Sequence, residues 1–231
     1  MPKLILFDID GTLICTGGAG GRAMTKAFEH TCGITEALER VEVAGRTDSI
    51  IMADAFNACG RTMDADVMGR VRDVYCVALR DELTLDGFTP RGELPGIRPL
   101  LDTLAVRPDV SLALLTGNFR QSAEIKLAQY DLWRYFPWGA FGEEAFDRHD
   151  LLPVALERHR AAGGAPLAPA DVVIIGDTPH DVSCALRGGA RVIAVATGHF
   201  STDQLRASGA THVFADLGDT PAVLAALDAS S

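Results

Sequence analysis

The chain is poor in the features that would make it a secreted, membrane or nucleic-acid-binding protein. Its five cysteines (Cys15, Cys32, Cys59, Cys76 and Cys184) are odd in number and widely spaced, with no Cys-x-x-Cys pair. A disulfide framework or structural zinc site is therefore disfavoured, and reduced, mostly buried thiols are expected. No apolar run approaches the roughly 20 residues needed to cross a bilayer. The first apolar run is short and ends in acids, unlike a secretory signal, so no membrane partner and a cytoplasmic location are expected. Basic residues are also in deficit. Against 31 Asp and Glu stand 21 Lys and Arg, a formal net charge of −10, which disfavours nucleic acid and anionic lipid as partners. An anionic substrate would need local cations and a metal to overcome that background.

What is present is an ordinary globular composition, 48% apolar and 23% charged, over 231 residues. That length suits one large domain or a core with a modest insert. The organising stretch is the first, Lys3-Leu4-Ile5-Leu6-Phe7-Asp8-Ile9-Asp10-Gly11-Thr12-Leu13. An apolar run without amphipathic alternation reads as a buried strand of a parallel sheet, and ligands bind beyond the carboxyl ends of such strands. Asp8 and Asp10 stand at that edge, two residues apart, and project to the same side if strand geometry persists. A divalent cation is the usual means of keeping two such acids ionised.

The same punctuation recurs twice. Leu114-Leu115-Thr116-Gly117-Asn118 is a strand running into a hydroxyl and a glycine before a helix, where backbone amides suit an anion, although an ordinary helix cap reads the same way. Val172-Val173-Ile174-Ile175-Gly176-Asp177-Thr178-Pro179-His180-Asp181 breaks from strand to Gly-Asp, with a second acid one helical turn on. Between the first two motifs the pattern turns helical. The glycine-rich Thr16–Gly21 stretch lacks the ending of a P-loop and reads as a flexible hinge. Helices are expected at Ala23–Cys32, after a Thr47-Asp48 cap, and from Asp64 or Asp66 on, with a Gly- and Pro-rich linker at 87–95. From Gly96 onward strands and helices alternate with short connections, which argues for an α/β doubly wound parallel sheet.

Asp8-Ile9-Asp10-Gly11-Thr12-Leu13 resembles the first signature of the haloacid dehalogenase-like hydrolase superfamily, and the Thr116 and Asp177 segments resemble its later motifs in order. The resemblance points to the phosphoglycolate phosphatase and β-phosphoglucomutase-like branch, and implies a Rossmann-like core of residues 1–15 and 93–231 with an inserted all-helical cap of 16–92. It implies a phosphatase that acts on a small phosphorylated metabolite through an aspartyl-phosphate. Asp8 would be the nucleophile and Asp10 the acid and base, with Mg²⁺ held by Asp8, the Asp10 main-chain carbonyl and Asp177, and Asp181 orienting metal-bound water. Thr116, Gly117 and Asn118 would receive the phosphoryl group. For the cation that balances it, counting back from Pro153 places Arg148 where relatives carry a lysine. Lys126 is the runner-up, since a lone lysine on a helix usually faces solvent. In the insert, Arg46 could reach down to an anionic substrate. A phosphosugar mutase shares all these motifs. A haloacid dehalogenase would need neither Asp10 nor a metal, and a receiver-type phosphoacceptor would be about half this length.

Overall fold

A computed structural model describes residues 3–229. Six strands form one parallel sheet in the order β5-β4-β1-β6-β7-β8. They are β1 (Lys3–Phe7), β4 (Val110–Leu115), β5 (Gly139–Ala140), β6 (Val172–Gly176), β7 (Arg191–Val195) and β8 (His212–Phe214). The chain moves outward from β1 through β4 to β5, then returns to the other side of β1 with β6. That reversal is the switch point at which ligands bind in sheets of this kind.

Alternate residues of the central strands feed two separate cores. Ile5, Phe7, Leu112, Leu114, Val173 and Ile175 pack on one face against α4 (Ile97–Ala105), α5 (Arg120–Ala128) and α9 (Thr220–Asp228). Leu4, Leu6, Ala113, Leu115, Val172 and Ile174 pack on the other against α6 (Leu151–Ala161), α7 (Pro179–Arg187) and α8 (Thr202–Ala207). A strand covered on both faces is apolar at every position, which is why these runs show no alternation.

A third core lies apart from the sheet. It joins α1 (Ala19–Cys32), α2 (Asp48–Ala58) and α3 (Ala65–Thr84) through Ala23, Phe28, Ile51, Phe56, Tyr75 and Leu79, with Phe119 its one fully buried member from beyond the insert. Thr47 caps α2 by accepting from the Ile50 N–H at 3.3 Å, and Asp64 caps α3 by accepting from Val67 N–H at 2.8 Å. The chain enters and leaves this helical insert through an antiparallel ribbon, β2 (Ile14–Thr16) against β3 (Arg91–Glu93). Three-residue strands flanked by glycine carry no readable alternation, so the pattern does not predict the ribbon. The expected glycine hinge is corrected too. Only Gly17 and Gly18 turn the chain, at φ 60° and 78°, and Gly20 and Gly21 already belong to the first turn of α1.

Ile174 is fully buried in the strand beside β1, whereas Val106 is 81% exposed. Ile174→Ala is expected to lower unfolding free energy by about 2–5 kcal/mol, and Val106→Ala to change it by less than about 0.5 kcal/mol, both read from urea titrations.

Candidate active site

The sheet delivers its functional groups at one edge because three strands stop there together. β1 ends at Phe7, and the Asp8 N–H continues the ladder by donating to the Ile175 carbonyl at 3.0 Å. β4 ends at Leu115, so Thr116 follows directly, and β6 ends at Gly176, so Asp177 follows. Asp8, Asp177 and Asp181 are all buried, and each offers a carboxylate oxygen within 4.8 Å of the others. Gly11 stands at φ 78°, and a Cβ there would come within 2.4 Å of the Asp177 carboxylate. Only glycine lets the loop after β1 pass that acid.

One cation answers the three acids. Arg148, itself buried, places Nη2 3.1 Å from Asp8 and 2.5 Å from Asp181, and donates from Nη1 to the Gly45 carbonyl at 3.2 Å. Its Nε is buried with no hydrogen-bond partner among the described residues. Burial opposes its charge, yet Asp181 and Asp8 hold the guanidinium protonated more firmly than usual. Burial pushes Asp8 up to about 6, with Arg148 working against the rise and Asp181 and Asp10 adding to it. Asp177 is raised well above the ordinary carboxylate range by burial, then by Asp8 and Asp181. Asp181 is otherwise occupied, accepting from Thr178 N–H at 3.1 Å and Thr178 Oγ1 at 2.8 Å. Buried oxygen-only donors with a charge deficit suit a hard divalent cation. The acids fit such an ion better than they fit one another.

Asp10 is not in this cluster. Asp10 lines the same cavity as Asp8 and its charge helps to raise that acid, but strand geometry ends at Phe7 and the Asp10 carboxylate stands outside the group of oxygens within 4.8 Å of one another. It turns instead to Lys126, whose Nζ lies 2.6 Å away, and to Asn118 Nδ2 at 2.9 Å. Lys126 is accordingly no solvated lysine: its side chain is 5% exposed, and it also donates to Asn118 Oδ1 at 2.6 Å. Helix α5 faces the site, which a lone lysine in sequence does not reveal. Asn118 also donates to Thr116 Oγ1 at 2.9 Å, and Thr116 adjoins Asp8, so a polar chain runs from Lys126 to the acid cluster. Arg46, expected to reach for an anion, lines the cavity but pairs with Asp54 at 2.6 Å.

The insert is stitched to this edge by the start of α2. Asp48 N–H donates to the Gly117 carbonyl at 2.7 Å, Ser49 Oγ to Gly142 at 2.6 Å, and Thr47 Oγ1 to Phe146 at 3.0 Å. In return the Asp48 carboxylate accepts from the Phe119 N–H at 3.0 Å and Ser122 Oγ at 3.3 Å. Sequence reasoning placed Asp48 in a helix cap and missed this role. It also missed Thr12, which donates to Asp177 at 3.2 Å, and Thr197, which donates to Gly11 at 2.5 Å. Ala196-Thr197-Gly198 follows β7 just as Thr116-Gly117 follows β4, and that repetition was the available signal. Between insert and sheet lies a cavity of about 530 Å³, reached by Asp8, Asp10, Gly117, Asn118, Lys126, Arg148 and Asp177.

Burial pushes Asp48 up to about 6, partly offset by Lys126 and the Phe119 N–H. A carboxyl raised in the folded state is more easily ionised when unfolded, so it favours folding below its unfolded pKa and loses that contribution as pH rises through the folded value. The stability of the native sequence relative to Asp48→Asn is therefore expected to fall by about 2–3 kcal/mol between pH 4 and pH 7, read by chemical denaturation at each pH.

A family profile described as haloacid dehalogenase-like hydrolase matches residues 5–186. Phosphoglycolate phosphatase 1 of Pseudomonas aeruginosa is 25% identical over 86% of this chain and 71% of its own length. The tyrosine-protein kinase PtkA of Mycobacterium tuberculosis is 27% identical over 92% of this chain and 68% of its own. The crystal structure of a hydrolase from Pseudomonas syringae superposes with a TM-score of 0.70 at 20% identity, covering 100% of both chains. With its three strand-end motifs gathered at one sheet edge, this chain belongs to the haloacid dehalogenase-like hydrolase family.

Proposed function

We propose that this hydrolase is a Mg²⁺-dependent phosphatase that releases phosphate from a small phosphorylated metabolite through an aspartyl-phosphate on Asp8. The observation that carries the reading is Asp8 itself: a buried carboxylate at the end of a central strand, beside Arg148 at 3.1 Å and facing a cavity of about 530 Å³. A carboxylate nucleophile splits one hard displacement into two easier ones. The names of the phosphoglycolate phosphatases among its relatives support the same class.

In the first step Asp8 Oδ forms a bond to phosphorus as the bond to the ester oxygen breaks, and Asp10 gives its proton to the departing alkoxide. In the second, water attacks phosphorus, the bond to Asp8 breaks, and Asp10 takes a proton from the water. Asp10 suits the task because its side chain is 42% exposed, within reach of a leaving group. Lys126 and Asn118 fix where it points. Arg148, with an unspent buried Nε, and Thr116, Gly117 and Asn118 would meet the phosphoryl oxygens. Asp8, Asp177 and the Asp10 main-chain carbonyl would hold Mg²⁺, with Asp181 acting through Arg148 and Thr178. Bound there, the ion would offset the repulsion between Asp8 and the incoming phosphate dianion. The helices within 16–92 would serve as a cap that shuts water out of the cavity and bears on the leaving group.

Release of p-nitrophenol from p-nitrophenyl phosphate tests this directly. Turnover is expected with Mg²⁺ and not with EDTA. Asp8→Asn is expected to lower kcat by at least about 10³-fold, and Lys126→Ala to lower kcat/KM by about 10–10²-fold. Full activity in Asp8→Asn would overturn the nucleophile assignment. Interconversion of sugar phosphates without phosphate release would favour a mutase.

A further inference from the structure

The walls of the cavity describe its leaving group as well as its reaction. Beyond the acid cluster it is bordered by Ile14, Met24, Leu38, Val43, Ile51 and Tyr75, from the ribbon and the helical insert. Val43 is 43% exposed, an apolar surface with incomplete packing of its own. Tyr75 is buried, and burial, with Asp48 and Asp10 nearby, raises its hydroxyl well above the ordinary range, so it stays neutral.

Among the described residues, the three lysine and arginine side chains that border the cavity are all already held by carboxylates, and the one histidine there, His199, is exposed in the loop after β7, on the sheet side. Arg148 lies against Asp8 and Asp181, Lys126 against Asp10, and Arg46 against Asp54 at 2.6 Å. The other arm of Arg46 donates to the Glu42 carbonyl at 3.1 Å, so both ends of its fork are occupied. On α1, Arg22 and Lys26 both turn to the buried Glu82, at 2.6 and 2.5 Å. Asp48 faces the cavity as well and would repel a second anion.

Resting on the phosphatase reading, we infer that the ester cleaved here carries an uncharged, mainly apolar alcohol, an aryl or branched alkyl group, and not a leaving group with a second anion. A carboxylate or second phosphate lying in this part of the cavity would lose its water without gaining a lysine or arginine that is not already paired. An apolar group would gain from leaving water against the same walls. The reaction is plain hydrolysis: water and the monoester give the alcohol and inorganic phosphate.

Benzyl phosphate and phosphoglycolate both release a primary alcohol, so their relative kcat/KM reads the pocket more than the chemistry. With Mg²⁺, benzyl phosphate is expected to be the better substrate by at least about tenfold. Val43→Lys places a free cation on a wall that is already partly exposed, and is expected to move the ratio about tenfold toward phosphoglycolate. Phosphoglycolate turned over as well as or better than benzyl phosphate would overturn the inference and leave the phosphatase reading standing. A ratio unmoved by Val43→Lys would overturn the assignment of that wall to the leaving group. No turnover of either ester or of p-nitrophenyl phosphate would overturn the phosphatase reading and this inference with it.

Discussion

One guanidinium among three buried carboxylates sets the terms for the rest of the molecule. Arg148 can neutralise one charge of the three, and the remainder sits where burial penalises it. The surrounding backbone is shaped to hold the acids there despite that cost. A Cβ on Gly11, Gly176 or Gly198 would collide with Asp177 or Asp181, so the glycine at each strand exit is dictated by the acid beside it. The sheet contributes rigidity. Strands apolar on both faces have one register that keeps both cores filled, and that register fixes where each strand ends. Stability is spent at the edge so that chemistry can happen there.

A second charged pair extends the arrangement toward the insert. Lys126 and Asp10 meet at the same cavity as the acid cluster, tied to it through Asn118 and Thr116. The start of α2 is bonded to the loops after β4 and β5 through Thr47, Asp48 and Ser49, so whatever sets the insert's position is felt at the same loops that would receive a phosphoryl group. The two halves of the cavity thereby differ in character. The sheet side is charged, and the insert side is largely apolar.

The parts of this plan that were legible in sequence are those with a local cause. Val110–Leu115 is an apolar run whose alternate residues feed both cores, and Thr202–Ala207 starts at the capping Ser201. The strand-end position of Asp8, Thr116 and Asp177 followed from the same punctuation. What was not legible depends on side chains meeting across the chain. Lys126 reads as a surface lysine because nothing near it in sequence is Asp10, 116 residues away. Asp48 reads as part of a helix start because its partner amide belongs to Phe119. Asp10 reads as the twin of Asp8 only if the strand continues, and it stops at Phe7. Arg46 lines the cavity as a substrate-binding arginine would, but its pairing with Asp54, eight positions on, is not marked by any pattern in the sequence.

The central claim is that the buried acids form an incomplete charge cluster that a divalent cation completes. Thermal unfolding with and without millimolar Mg²⁺ tests it without substrate or assumed activity, since a ligand of the folded state raises Tm by mass action. The account predicts a rise in Tm for the native sequence that saturates with Mg²⁺ and is absent in Asp177→Asn. A Tm indifferent to Mg²⁺, or an equal rise in Asp177→Asn, would contradict it.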